Sequence, residues 1–509
     1  MPESVQPDTT PPSPGLPWGD ETPVDDTRWW VVETEPDTPA AAPNRVLVVV
    51  VLAAIAVAVS MPSQASGIGV PLIGITVIAA VLVGSPRRPS IAGILAVLAV
   101  VALLSVAAWR SAGWVSATCL ALAIVTALAV VVDARSVRET ALGAVLPIVF
   151  APQAVWWVSR TVADARAGRR VDNIRGVAAV AGVTVVLAVV FGALFATADT
   201  RFADLLDDVT PDLGPVSVGP QVVVGLTAAL VVTVGVHLRW VRPRSPHRPA
   251  APRPLGDTWM WAVPAGTVLG ICIAFLLTQA SSLFGGDDYV QTTAGLTYAD
   301  YARSGFWQLF VVTALTIVVV SVAWRRSARD TRTERVLARG ILGGLCLATL
   351  AVVASALHRM DLYTEAFGAT RLRVGASAVE WWFAAVVVVL MAAGAGLRTR
   401  HLPRIVSAVT IGAALAFAAS NPDARIAATN VDRFADTGRI DVDYLAGLSP
   451  DATEELLDLP RPVRDCALAA IAADVAHTGR WTDLDLGRAH ARSALDGAGI
   501  APTATCPPR

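Results

Sequence analysis

The chain has 509 residues, of which 54% are hydrophobic and only 16% charged, with a formal net charge of −1 and a mean hydropathy of +0.57. Length alone would allow several soluble domains, but apolar runs near bilayer length recur along the chain and exclude an ordinary soluble globule. The near-neutral charge offers no basic stripe for nucleic acid, and six His without a CxxC or HExxH motif support neither a metal site nor a cofactor.

The fold class that follows is all-α: a polytopic helical membrane protein with about eleven spans, twelve being the alternative count. Helices are the expected spanning element because lipid offers backbone groups no outside partner, and the two-residue alternation of barrel strands is absent. All 40 basic residues are Arg. With the abundance of Ala, Val, Gly and Pro, this reads as high-GC coding bias of the actinobacterial kind rather than as chemistry.

Residues 1–44 come first and are Pro-rich and acidic, with Glu3, Asp8, Asp20, Glu21, Asp25, Asp26, Glu33, Glu35 and Asp37 against Arg28. A signal peptide would open on a basic stretch. Too few apolar residues are present to fold alone, so a disordered cytoplasmic tail is expected; Trp18, Trp29 and Trp30 read first as a sticky but idle stretch and second as a short docking motif for a protein partner.

The transmembrane region, 45–420, carries apolar runs at 46–61, 66–84, 91–109, 112–132, 176–198, 221–239, 259–280, 306–324, 340–357, 376–397 and 404–420. Trp109, Trp114, Trp240, Trp259, Trp261, Trp324, Trp381 and Trp382 mark run ends, where indoles settle in the headgroup layer. A further run, 141–158, contains Pro147, Pro152 and Gln153 and ends in Trp156–Trp157; an interfacial or re-entrant helix suits it as well as a span.

Arg placement sets the orientation. Loops with Arg87–Arg88, with Arg160 to Arg175, with Arg239 to Arg253, with Arg325 to Arg339 and with Arg398 to Arg404 are expected to be cytoplasmic. Loops 199–220 and 281–305, with Asp199, Asp204, Asp207, Asp208, Asp212, Asp287, Asp288 and Asp300, are expected outside. All Arg-rich loops fall on one side only if 141–158 does not span. The N-terminus is then cytoplasmic and the C-terminus extracytoplasmic, in a multi-pass protein of the cell membrane. These Arg residues read as topology signals that also meet anionic lipid.

Residues 421–509 are polar enough for a small extracytoplasmic helical region, a second surface for protein partners. Ser449-Pro450-Asp451 has the pattern of a helix start. A helix over 464–476 buries Leu468, Ile471 and Val475 and ends at Gly479, and another covers 485–495. Cys466 and Cys506 are the cysteines outside the spans and form a candidate disulfide. Its loop of about forty residues would be worth ~3–4 kcal/mol in the chain-entropy model.

Under this topology one set of polar residues gathers at the outer face: Tyr301 and Arg303, then His358, Arg359, Asp361, Tyr363, Glu365, Arg371 and Arg373, with Glu380 just inside its span. His358, Asp361 and Glu365 fall at i, i+3 and i+7, one face of a continuing helix. Such a trio has the chemistry for metal binding or acid–base work. With Arg359, Arg371 and Arg373 close by, an ion-paired structural cluster is the stronger reading; no catalytic residue and no metal ligand is assigned. Gly305 suits a tight turn into a span, with Phe306 and Trp307 as interface anchors.

Three stretches carry a resemblance. They are Thr297-Tyr-Ala-Asp-Tyr-Ala-Arg-Ser-Gly-Phe-Trp-Gln-Leu309, His358-Arg-Met-Asp-Leu-Tyr-Thr-Glu-Ala-Phe-Gly-Ala-Thr-Arg-Leu-Arg373, and Asn421-Pro-Asp-Ala-Arg-Ile-Ala-Ala-Thr-Asn430 continuing through 441–451. In this order they resemble an uncharacterised bacterial multi-pass membrane protein family, domain of unknown function 4153/4173, over about 175–495. The family pattern implies an acidic or amide residue where this chain has Ser304, which weakens an enzymatic reading. The resemblance implies a fold and no activity. The leading expectation is a non-enzymatic role in sensing, scaffolding or envelope support. A small-molecule transporter or exporter is the alternative, and an outer-face enzyme on a lipid-linked substrate the third.

Overall fold

A computed structural model describes residues 41–63, 66–134, 137–167, 218–241, 257–284, 306–327, 331–396, 401–477 and 479–500. Every regular element among the described residues is helical. Ten helices follow the expected runs: α1 (Asn44–Ser60), α2 (Gly69–Gly84), α3 (Ile91–Trp109), α4 (Gly113–Val131), α6 (Val218–Val241), α7 (Trp259–Phe284), α8 (Phe306–Arg326), α9 (Arg332–Phe367), α10 (Arg371–Ala395) and α11 (Leu402–Ala419). Of these, α3, α4 and α6 to α11 are long and apolar enough to cross a bilayer, whereas α1 and α2 are apolar but shorter. The expected run 176–198 lies outside the described residues.

The doubtful run 141–158 is helical, within α5 (Val137–Ala167), and its contacts decide its orientation. A Cβ at Gly143 would meet Val132 and Leu128 at the end of α4. Leu146, Phe150 and Ala154 pack on Val234, Leu238 and Val241 at the end of α6. Further along, Thr161 donates its hydroxyl to the Ala42 carbonyl at 2.6 Å, just before α1. Gly143 and Thr161 are ~27 Å apart along the helix axis, yet both touch the same end of the bundle. α5 therefore lies across the helix ends, which speaks against counting 141–158 as a twelfth span. Its exposed Ile148, Val149 and Trp156 suit the lipid interface.

Arginines at that end fasten helices together. Arg239 of α6 donates to Ser85 Oγ, to the Val130 carbonyl of α4 and to the Arg87 carbonyl. Trp240 donates its indole N–H to the Gly84 carbonyl at the end of α2. A cation at a helix C-terminus satisfies carbonyls that the helix leaves open and opposes the negative end of its dipole.

The spanning helices form two packed groups. In the first, α1, α2 and α6 approach closely through small residues: a Cβ at Gly84 would lie 2.8 Å from Val236, and one at Gly235 2.8 Å from Val81. Small side chains permit such approach where lipid supplies no hydrophobic driving force between helices. In the second group, α9 packs against α7, α8 and α10, while α11 connects α10 to α3 and α4. α9 starts from a Thr331–Glu334 capping box and runs 36 residues, well beyond bilayer length, so its last turns project past the apolar run.

Residues 422–498 form a helical tail with its own core. Its helices are α12 (Pro422–Thr437), α13 (Val442–Ala446), α14 (Thr453–Leu456), α15 (Val463–Ala476) and α16 (Leu486–Ala498), with 3₁₀ turns at Pro450–Ala452 and Trp481–Asp483. Ile426, Leu445, Leu456, Leu468 and Ile471 are fully buried together. More of this region is helical than the sequence suggested. Ser449-Pro450-Asp451 opens a 3₁₀ turn rather than a helix, and the Ser449 side chain does not cap it. Asn421, in the left-handed region at φ 48°, turns the chain from α11 into α12, a conformation Asn tolerates better than most residues.

Candidate functional site

The tail docks on the end of the bundle opposite α5, through buried aspartates. Asp423, in the first turn of α12, is 0% exposed. It accepts from Arg371 Nε at 3.1 Å and Nη2 at 2.6 Å, from Trp114 Nε1 at 2.9 Å and from the Ser449 amide at 2.9 Å. The Tyr444 hydroxyl accepts from the Arg371 amide at 2.7 Å. One carboxylate thus joins the start of α10, the start of α4 and two tail segments. Burial pushes its pKa up, but the Arg371 ion pair and the amide and indole donors outweigh this and hold it below the usual carboxylate value.

Three more tail aspartates reach the loops between α1 and α2 and between α3 and α4. Asp483 accepts from the Ser63 amide at 2.6 Å and hydroxyl at 2.5 Å. Asp485, the N-cap of α16, accepts from Ser111 at 2.6 Å, Ser66 at 3.1 Å and the Arg488 amide at 2.7 Å. Asp451 accepts from the Ala112 amide at 2.9 Å, and Arg110 approaches its other oxygen only to 3.9 Å. That oxygen, Oδ1, is buried and makes no hydrogen bond. Burial foremost, with the nearby Asp485 charge, raises the Asp451 pKa to about 6 against the lowering effect of the Ala112 amide and Arg110. Gly487 has no room for a side chain, since a Cβ would fall 2.2 Å from Asp451 Oδ1.

The tail also closes the end of α9. Arg433 of α12 donates to the Glu365 and Ala366 carbonyls, and Asn430 donates to Ala369. These are α9's last open carbonyls and the loop beyond, capped by a partner helix.

The outer-face residues expected from sequence divide into separate environments. Arg371 belongs to the docking interface. Arg373 donates to the Gly368 carbonyl and stacks its guanidinium 4.1 Å from the Tyr363 ring. His358, Asp361 and Glu365 share one exposed face of α9, as the spacing implied, while Arg359 is buried. Among the described residues no group of three or more His, Cys, Asp or Glu could hold a metal ion. Glu380 stands apart from all of these: it is 0% exposed inside α10, and neither carboxylate oxygen has a partner among the described residues. Phe306 is buried in the bundle rather than an interface anchor, and Trp307 is half exposed. Tyr301 and Arg303 lie outside the described residues. Cys466 is disulfide-bonded and Cys119, Cys272 and Cys346 are free; its expected partner, Cys506, lies outside the described residues.

Sequence reasoning missed Asp483, Asp485, Ser63, Ser66 and Ser111, which are common residue types in loops. Asp423 and Asp451 were within reach, because both stand in the stretches that carry the family resemblance.

Residues 98–459 match the family described as Domain of unknown function (DUF4153). The match covers well over half of the chain, which belongs to this family of unknown function and, by its apolar helices, is an integral membrane protein. It starts earlier than the expected 175, taking in most of α3 and all of α4, and ends at 459 rather than near 495. No curated protein and no solved structure matches the chain.

Asp423→Asn should weaken tail docking by about 3 kcal/mol, the scale for breaking a buried ion pair. Arg371→Met should cost more, because the Arg371 side chain is 36% exposed and its freed charge can hydrate, whereas Asp423 is fully buried. Hydrogen exchange over 422–498 reads both; wild-type protection in either variant would show that the pair does not hold the tail. Asp451 predicts a pH dependence of the opposite sign to Asp423. Its folded pKa is raised, so its contribution is full below the unfolded value of about 4 and lost as pH rises through about 6. Tail protection should therefore fall between about pH 4 and pH 6 and level off above that, and Asp451→Asn should flatten the decline; an unchanged slope in the variant would assign it elsewhere.

Proposed function

We propose that the protein is a non-enzymatic component of the bacterial cell membrane that mounts its tail as a rigid recognition module on the extracytoplasmic face, for scaffolding, sensing or envelope support. The carrying observation is the closed interface: Asp423 binds the starts of α4 and α10, and Asp451, Asp483 and Asp485 bind loops of the bundle, rather than facing a cleft. The tail surface facing away from the bundle is then what a partner meets. The orientation is supported by Arg87, Arg239, Arg325, Arg326 and Arg339, all at the end away from the tail, as the positive-inside rule expects of a cytoplasmic side. The Cys466 disulfide, with Cys506 as its proposed partner, suits an oxidising compartment.

A phosphatase fused after Gly499 should be active, and an inactive fusion would reverse the orientation. Photo-cross-linkers at Arg425 and Thr429, both on α12, should capture a defined protein in intact cells. Asp423→Asn should cut that capture several-fold. Capture equal in the variant, or none from the wild type, would remove the scaffold reading.

One observation favours a second reading, transport. Glu380 is an intramembrane carboxylate without a partner among the described residues, and such groups commonly mark ion or proton pathways. Thr313 of α8, equally buried and with an unpartnered hydroxyl, falls at a similar depth, between the apolar cluster around Phe306 and Met360 and the one around Val320 and Leu345. In proteoliposomes under an imposed pH gradient, the transport reading expects proton flux that Glu380→Gln abolishes. Wild-type vesicles as tight as empty ones would retire proton-coupled transport.

A further inference from the structure

At the end of the bundle away from the tail, α8, α9, α10 and the start of α11 enclose a cavity of 280 Å³, open on one side. Its walls are apolar, with Val320, Leu342 and Leu390 among them, and Gly343 and Gly394 leave the space unfilled. Arg325, in the last turn of α8, and Arg339, in α9, also line it. Both side chains are exposed, and neither has a hydrogen bond or ion pair among the described residues. They differ in this from Arg239, at the same end of the molecule, whose guanidinium is used on the Ser85 hydroxyl and the Val130 and Arg87 carbonyls.

We propose that this cavity is a binding site for one anionic phospholipid of the adjoining leaflet, a hydrocarbon chain filling the apolar space and the head-group phosphate held by Arg325 and Arg339. Three features select this occupant. The volume is near the lower bound of small-molecule pockets, about 300 Å³, so it takes a chain segment and no more. A purely apolar guest would leave two guanidinium groups unused at the rim, and guanidinium geometry matches phosphate oxygens in pairs. The two arginines flank the apolar runs of α8 and α9, the depth at which phosphates lie and at which basic side chains are drawn to anionic lipid. Trp324 lines the same cavity and supplies a local probe.

The test uses the full chain in nanodiscs of phosphatidylcholine doped with phosphatidylglycerol whose chains are brominated, a contact quencher of indole fluorescence. The quenching that disappears in Trp324→Phe reports the site against the other 14 of the 15 Trp residues. It should saturate at low phosphatidylglycerol content and be absent with brominated phosphatidylcholine at the same content. Arg325→Gln with Arg339→Gln should raise the half-saturating fraction about tenfold, while Arg325→Lys with Arg339→Lys should restore part of the affinity. Leu342→Phe, which fills much of the cavity, keeps both charges and adds no indole, should also abolish the saturable part. Equal quenching by phosphatidylcholine would reduce the site to an ordinary lipid-facing groove. Saturable quenching that survives Leu342→Phe would mean surface attraction without a cavity site, and either result overturns the proposal. Circular dichroism and a single symmetric peak on size exclusion qualify each variant before it is read.

Discussion

Asp423 is the point on which the two parts of the molecule meet. A carboxylate removed wholly from water is costly unless every oxygen is matched by donors. Here the donors come from Arg371 on α10, Trp114 on α4 and the Ser449 amide in the tail. The spanning groups are joined mainly through α11, so a residue that grips both α4 and α10 from outside is a second tie between them. The remaining tail aspartates extend the same arrangement to the α1–α2 loop. Docking is thus a set of specific polar contacts around a small region with its own hydrophobic core.

Much of the fold was legible because lipid makes harsh demands on sequence. Runs such as 91–109 and 112–132 have no alternative to helix, and α3 and α4 cover nearly the same residues. The in-plane course of α5 could be inferred from Arg placement together with Pro147, Pro152 and Gln153, and the contacts of Gly143 and Thr161 support it. The candidate site was less legible. The i, i+3, i+7 spacing of His358, Asp361 and Glu365 correctly put them on one face, but spacing does not say whether a face is covered. That face is exposed, while the buried polar chemistry lies in loops. Ser63 and Asp483 meet across 420 residues of chain, and no local pattern announces such a pairing.

The polar groups are distributed unevenly between the ends of the bundle and its middle. At the α5 end, guanidinium groups satisfy helix carbonyls; at the tail end, carboxylates satisfy loop amides and hydroxyls. Between them the helices are almost wholly apolar, with few buried exceptions. His237 contacts the Trp157 and Phe150 rings with neither ring nitrogen partnered among the described residues, and Glu380 and Thr313 lie in the second group of helices. Each exception runs against the rule that buried polar atoms find partners, so these positions are where the interior departs from simple packing.

The distance in sequence across the docking interface bears on how the protein is made. Ser63, Ser66 and Ser111 leave the ribosome 420, 419 and 374 residues ahead of the aspartates they bind, Asp483 and Asp485. Until those aspartates have been made, the loops lack these acceptors for their amides and hydroxyls, and the α9 terminus likewise waits for Asn430 and Arg433. Docking therefore comes late for the early loops: a chain that stops short of residue 485 keeps them uncovered, in a form that proteases and chaperones can tell from the docked one.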